Sequence, residues 1–188
     1  MTGNGQILEL VPTCTLVKAD AAALQAHWPW LRERLLDVKA TNEYPKVGDR
    51  RKVDRRYLAT SYGVSGRCRW TPEQIRCAIL RGFHGQTTVE LFYAIDAREH
   101  DAAAMHGFVI TTCDPDPIVG VPLDFKVWLL WADSHEVLSD TYLHLDELAR
   151  ERGCTALEHS SPRMGWFRRQ RDYGVWTLKY WTWRKDLT

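Results

Sequence analysis

No stretch of this 188-residue sequence comes near the roughly 18 consecutive apolar residues of a membrane-crossing helix. A membrane span is therefore not expected. An excess of one charge is missing too. Lysine and arginine number 25 against 24 acids, and the formal net charge of +1 gives no global pull toward nucleic acid or an anionic surface. Cysteine is sparse: Cys14, Cys68, Cys77, Cys113 and Cys154 are scattered, odd in number and free of Cys-x-x-Cys pairs. Reduced thiols in a cytosol-like compartment are the expectation, with Cys113 and Cys154 read as small buried hydrophobes. Neither Cys154-x4-His159 nor Cys68-x8-Cys77 matches a ligand spacing, so no metal is expected. There is no Gly-x-Ser-x-Gly elbow and no phosphate loop of the Gly-x4-Gly-Lys-Ser/Thr type. Met1 to Gln6 lack the basic and apolar regions of a secretory signal, so secretion by that route is not expected. Repeats and low-complexity tracts are absent.

What is present is tryptophan, nine in all, read as core filler with an exposed contact surface as the alternative. The length suits a single domain over 1–188, with 1–70 its least patterned part. The stretch from Leu123 to Thr188 organises the rest. Phe125 to Trp131 is apolar on both faces after Lys126, the signature of a strand inside a covered sheet. Val137, Leu138, Tyr142, Leu145, Leu148 and Ala149 then fall on one helical face, and Gly153 follows as a stop. Asp133 is placed to cap that helix, with Glu136 closing a box.

Earlier in the chain, Ile7 to Val17 reads as a strand interrupted at Pro12, and Asp20 as the cap of a helix that Pro29 kinks or restarts. Leu31, Leu35 and Val38 lie on its buried side. Residues 39–70 form a long connection with a basic run, Arg50, Arg51, Lys52, Arg55 and Arg56: a solvated loop, or a contact for phosphate or an acidic partner. Thr71-Pro72-Glu73-Gln74 is a helix start with a capping box, and Gly82 is its predicted end. Thr88 to Ile95 alternates as a strand with one covered face. Ala97 to Met105 reads as loop and His106 to Cys113 as a strand. Asp114-Pro115-Asp116-Pro117 is a turn. Thr155 to Ser160, Met164 to Tyr173 and Val175 to Arg184 complete the pattern as strand, helix and strand. The class is α/β (α+β), a mixed, mostly antiparallel central sheet flanked by helices.

That order, with Ala149-Arg150-Glu151-Arg152-Gly153-Cys154, Ser160-Ser161-Pro162-Arg163-Met164-Gly165-Trp166 and Tyr173-Gly174-Val175, resembles the GNAT acetyltransferase fold. The Ser-x-x-Arg-x-Gly-Trp stretch is similar to phage-encoded members, including virion and ejection proteins. The resemblance implies an acetyl-CoA site at the loop after the Phe125–Trp131 strand, where GNAT enzymes carry Gln/Arg-x-x-Gly-x-Gly/Ala. Here it would involve Trp131, Ala132, Ser134 and His135. No glycine lies between Gly120 and Gly153, and Asp133 and Glu136 put carboxylates where phosphates would sit. Gln170 stands where many GNAT enzymes have an acidic tyrosine. If the chain is active, Glu90 is the candidate base and Tyr173 the remaining tyrosine.

Arg163, Trp166, Arg168, Arg169 and Arg171 form the strongest surface signal, a basic face beside aromatics suited to a protein partner. The leading expectation is a GNAT-fold protein with a degenerate cofactor site and no bound cofactor. It would be a structural or interaction component of a phage virion, cytoplasmic or in the particle, and an oligomer or assembly subunit. The alternative is an active acetyl-CoA-dependent N-acetyltransferase acting on an amine of a small molecule or protein. A nucleic-acid-binding accessory role is the third reading.

Overall fold

The computed structural model describes residues 13–42, 57–60, 70–96, 105–116, 118–121 and 124–159. The elements are β1 (Cys14–Lys18), α1 (Ala21–Asn42), β2 (Tyr57–Thr60), α2 (Pro72–Phe83), β3 (Glu90–Asp96), β4 (Met105–Thr112), β5 (Asp124–Ala132), α3 (His135–Glu151) and β6 (Ala156–His159). The predicted first strand survives as β1, its part before Thr13 lying outside the described residues. So do the helix and strand expected beyond His159, most of the 43–69 connection, and 97–104 of the expected loop. Met105 itself belongs to β4.

The strands run in the order β1-β3-β4-β5, all antiparallel. The far edge of β5 is divided between two partners. Its first half, Asp124 to Val127, pairs in parallel with β6, and its second half, Leu129 to Ala132, pairs antiparallel with β2. β5 therefore has neighbours on both sides along nearly its whole length. That burial is what its unbroken apolar run demands.

Two cores follow, one on each face of the sheet. Leu24, Leu31 and Leu35 of α1 and Ile75 and Ile79 of α2 meet Leu91, Tyr93, Phe108, Ile110, Trp128, Leu129 and Trp131 on one side. Val137, Leu138, Leu145 and Ala149 of α3 meet Phe92, Ala94, Val109, Phe125, Val127 and Leu130 on the other. β3 thus has both faces covered, against the expectation of one. Its even positions lie under α3, a contact invisible in its own alternation. Pro29 does not break α1, which runs on through it to Asn42. The packing of Leu24, Leu31 and Leu35 offsets a defect of about 3 kcal/mol for an interior proline. The side chain of Val38 is outside the described ones.

Two bulges adjust the sheet. Ile110 faces Leu129 and Thr111 faces Val127, which leaves Trp128 unmatched and turns both Trp128 and Leu129 toward α1 and α2. Ala94 faces Gly107 and Ile95 faces Met105, which leaves His106 unmatched at the start of β4. A Cβ on Gly107 would stand 2.7 Å from the Trp131 carbonyl oxygen, so only glycine lets β4 and β5 close there. Gly82 also marks a close approach, not a stop. A Cβ there would collide with the Val89 carbonyl, and α2 ends a residue later with His84 as its cap. The predicted Thr71–Gln74 box is present, Thr71 Oγ accepting from Gln74 N at 3.2 Å and Gln74 Oε1 accepting from Thr71 N at 2.8 Å. Asp20 Oδ1 likewise accepts from Ala23 N at 2.7 Å and caps α1.

α3 is tied to the sheet's edge as well as to its face. Asp140 Oδ2 accepts from the backbone N and the hydroxyl of Thr13, both at 2.7 Å, and from Cys14 N at 3.2 Å. His144 Nε2 lies 3.0 Å from the Cys14 carbonyl oxygen and donates to it.

Candidate active site at the start of the third helix

The end of β5 leads directly into α3, and the cap of that helix is Ser134. Its backbone is extended and its Oγ accepts from Val137 N at 3.2 Å. Asp133, the expected cap, is turned the other way. Its Oδ2 lies 2.8 Å from Nδ1 of His106, and its backbone N donates to the His106 carbonyl oxygen at 2.9 Å. The reason is one backbone bond just beyond the β4–β5 ladder. With Asp133 N held by His106, the residue is still tied to β4, and the chain is free to enter the helix only at Ser134. Glu136 does fold onto the helix start. Its own backbone N–H and then the Ser134 hydroxyl hold its carboxyl below the usual value. Of the two acids expected among the first amides, one is there and the other serves a histidine.

His106 is the candidate site residue that sequence reasoning missed. The bulge leaves it unmatched on the β3 side, the kind of irregularity that re-aims a side chain near a site. A carboxylate on Nδ1 fixes the tautomer with the proton on that atom and leaves the lone pair on Nε2. Both side chains are about two-fifths exposed, open enough for a ligand to reach. The only sequence signal was a histidine opening one strand and an aspartate closing another, with nothing to say that they pair.

The other predicted residues scatter. Trp131 is buried toward α1, where Trp30 meets it edge-on at 5.7 Å and the Arg34 guanidinium lies 4.9 Å from its ring centre. Ala132 is buried under α3, and His135 opens that helix. Glu90 is far along the sheet in an ion-pair cluster. Lys18 Nζ sits 2.6 Å from Oε1, and the Arg152 guanidinium holds Oε2. Burial pushes its carboxyl up, but hydrogen bonds and charge from Arg152 and Lys18 outweigh that and hold it low. A carboxylate so clamped between two cations is not the solvated strand residue that its position suggested. Tyr173, Gln170, Arg163, Trp166, Arg168, Arg169 and Arg171 lie outside the described residues. No group of three or more metal-ligating side chains converges among the described residues. No helix among them is long and apolar enough to cross a membrane.

No protein-family model matches the sequence, and no curated protein matches it. Solved structures do. A ribosomal-protein-alanine N-acetyltransferase from Brucella melitensis biovar Abortus 2308 superposes with a TM-score of 0.55 at 13% identity, over 94% of this chain and 99% of its own. A possible acetyltransferase from Clostridium difficile 630 gives 0.59 at 3% identity over the same shares. AAC(6')-Iy, solved with the bisubstrate analogue CoA-S-monomethyl-acetylneamine, gives 0.53 at 11% over 93% and 99%. The chain therefore has the fold of GNAT acetyltransferases, a mixed and mostly antiparallel sheet between helices, as its element order implied. At these identities the likeness is one of fold.

Proposed function

We propose that this chain is an acyl-CoA-dependent N-acyltransferase with acetyl-CoA as donor and an amine as acceptor. The observation that carries the reading is the turn of Asp133 away from the start of α3 and onto His106. It removes one of the two charges that would repel a phosphate there, and it equips a neighbouring imidazole as a base. The backbone N–H groups of Ser134 and His135, at the positive end of a 17-residue helix, would hold the pyrophosphate. When bound, acetyl-CoA supplies a thioester carbonyl, the acyl group to be transferred. The chain's own part is then proton handling. An ammonium substrate must lose a proton before it can attack, and Nε2 of His106 takes it while Asp133 steadies the resulting imidazolium.

Calorimetry with acetyl-CoA, followed by a thiol-release assay over a panel of polyamines, aminoglycosides and lysine peptides, tests the reading. Micromolar binding and turnover are expected. His106→Gln should lower kcat about 10²- to 10⁴-fold with little change in coenzyme affinity. Absence of heat at millimolar coenzyme would overturn the proposal.

A second reading, the non-enzymatic one with a degenerate site and a structural role in a virion, is favoured by Glu136. Its carboxylate lies where the phosphates would, in a loop without glycine. This reading takes over if the calorimetry is silent. Partner binding would then rest on the arginines and Trp166 of the 163–171 segment. Contact of that segment with nucleic acid would show as affinity falling steeply with salt.

A further inference from the structure

Two of the cysteines taken for isolated core residues meet. Cys113 follows the last residue of β4, and Cys154 follows Gly153 in the turn from α3 to β6. Their sulfurs lie 3.3 Å apart across 41 positions of sequence. Both backbones are held where they stand. Thr112, just before Cys113, is paired with Lys126 of β5. Gly153 has a φ of 72°, which closes the helix, and Cys154 N donates to the Ala149 carbonyl oxygen at 2.9 Å. The two thiols differ in access, Cys113 being buried and Cys154 partly open. The remaining described cysteines serve as a contrast. Cys14 is buried with its thiol directed to the Val137 carbonyl oxygen, and Cys77 is exposed on α2. Neither has a second sulfur within reach among the described residues.

We propose that Cys113 and Cys154 are a thiol–disulfide exchange site, oxidised reversibly to an intramolecular disulfide by a small-molecule disulfide such as oxidised glutathione. The chemistry balances in two exchanges. The Cys154 thiolate, the accessible one, attacks one sulfur of the small disulfide; a Cys154 mixed disulfide forms and one small thiolate leaves. The Cys113 thiolate then attacks Cys154 Sγ, the Cys113–Cys154 bond forms, and the second small thiolate leaves. The two protons lost by the protein go to the two departing thiolates. The protein gives up two electrons and the small disulfide becomes two thiols. Burial and the neighbouring Cys154 thiol push the Cys113 thiol up to about 11, so Cys113 is a poor first nucleophile. Once Cys154 is consumed its share of that effect goes, and the Arg152 charge nearby still favours the thiolate. The bond would tie the end of β4 to the start of β6 across β5, closing a long loop and fixing the parallel strand at the divided edge.

The test uses the full chain under native conditions in glutathione buffers from fully reduced to fully oxidised. Exchange is quenched with acid, free thiols are then alkylated in denaturant near neutral pH, and the peptides are mapped by mass spectrometry. The expected result is a Cys113–Cys154 linked peptide that appears ahead of any pair involving Cys14, Cys68 or Cys77, raises Tm, and disappears with dithiothreitol. Cys77→Ser should leave the linkage and the Tm rise intact, whereas Cys154→Ser should abolish both and leave Cys113 alkylatable. Cys113 remaining a free thiol in the most oxidising buffer would overturn the proposal. So would a linkage that forms only in unfolded protein.

Discussion

Asp133 and Ser134 both carry oxygens able to accept from helix amides, and the hydrogen bond from Asp133 N to His106 decides between them. The cap contributes to stability, while the partly exposed Asp133–His106 pair contributes little. Ser134→Ala should therefore lower the unfolding free energy by about 0.5–2 kcal/mol. Asp133→Ala should cost no more than about 1 kcal/mol, read from urea midpoints at unchanged slope. The reverse order would mean that Asp133 is the cap after all. Glu90 gives a pH signature. Its folded pKa lies below the ordinary value of 4.5, so its contribution is fully present above that value and is lost as pH falls through the folded one. The stability gap between the native chain and Glu90→Gln should be constant near neutrality and shrink below pH 4.5. A gap that widens in acid would contradict the ion-pair assignment.

Among the elements, β5 and its two edge partners matter most for the proposed activity. β6 pairs with β5 from Asp124 to Val127, and β2 takes the edge from Leu129 to Ala132, next to the start of α3. With the proposed coenzyme held at Ser134 and His135, the neighbouring edge of β5 is the one that β2 occupies, and coenzyme amides using that edge would have to displace β2. Among the described residues β2 is four residues long and pairs with one strand, so it can give way at small cost. Hydrogen exchange at Tyr57 to Thr60 should accelerate on adding coenzyme A, while Val109 and Leu130 in the centre stay protected. Unchanged protection of β2 under saturating coenzyme would place the arm elsewhere. The long connection that holds β2 had only a basic run to mark it. Its strand became recognisable through pairing with β5, because four residues carry too little pattern to announce themselves.

At the scale of the whole molecule, the layers follow from two faces needing cover. α1 and α2 shield one side and α3 the other, with Trp30 edge-on to Tyr93, Phe108 and Trp131 at the junction of α1 with the sheet. Trp128 and Trp131 are buried, and Trp28, Trp30 and Trp70 pack against the same core. The reading of tryptophan as core filler holds for these five.

Local signals decided the elements, because a cap, a period or an apolar run acts over a few residues. Thr71 to Gln74, the face of α3 and the two-sided burial of β5 were all legible in the sequence, and with them the fold class. Pairing between distant residues was not, since no local pattern records which strand end meets which. Only the tertiary structure put His106 against Asp133, clamped Glu90 between Lys18 and Arg152, and brought Cys113 to Cys154. Each of those contacts joins residues 27 to 72 positions apart, and the register of the sheet together with the turns at the two ends of α3 determines whether they touch.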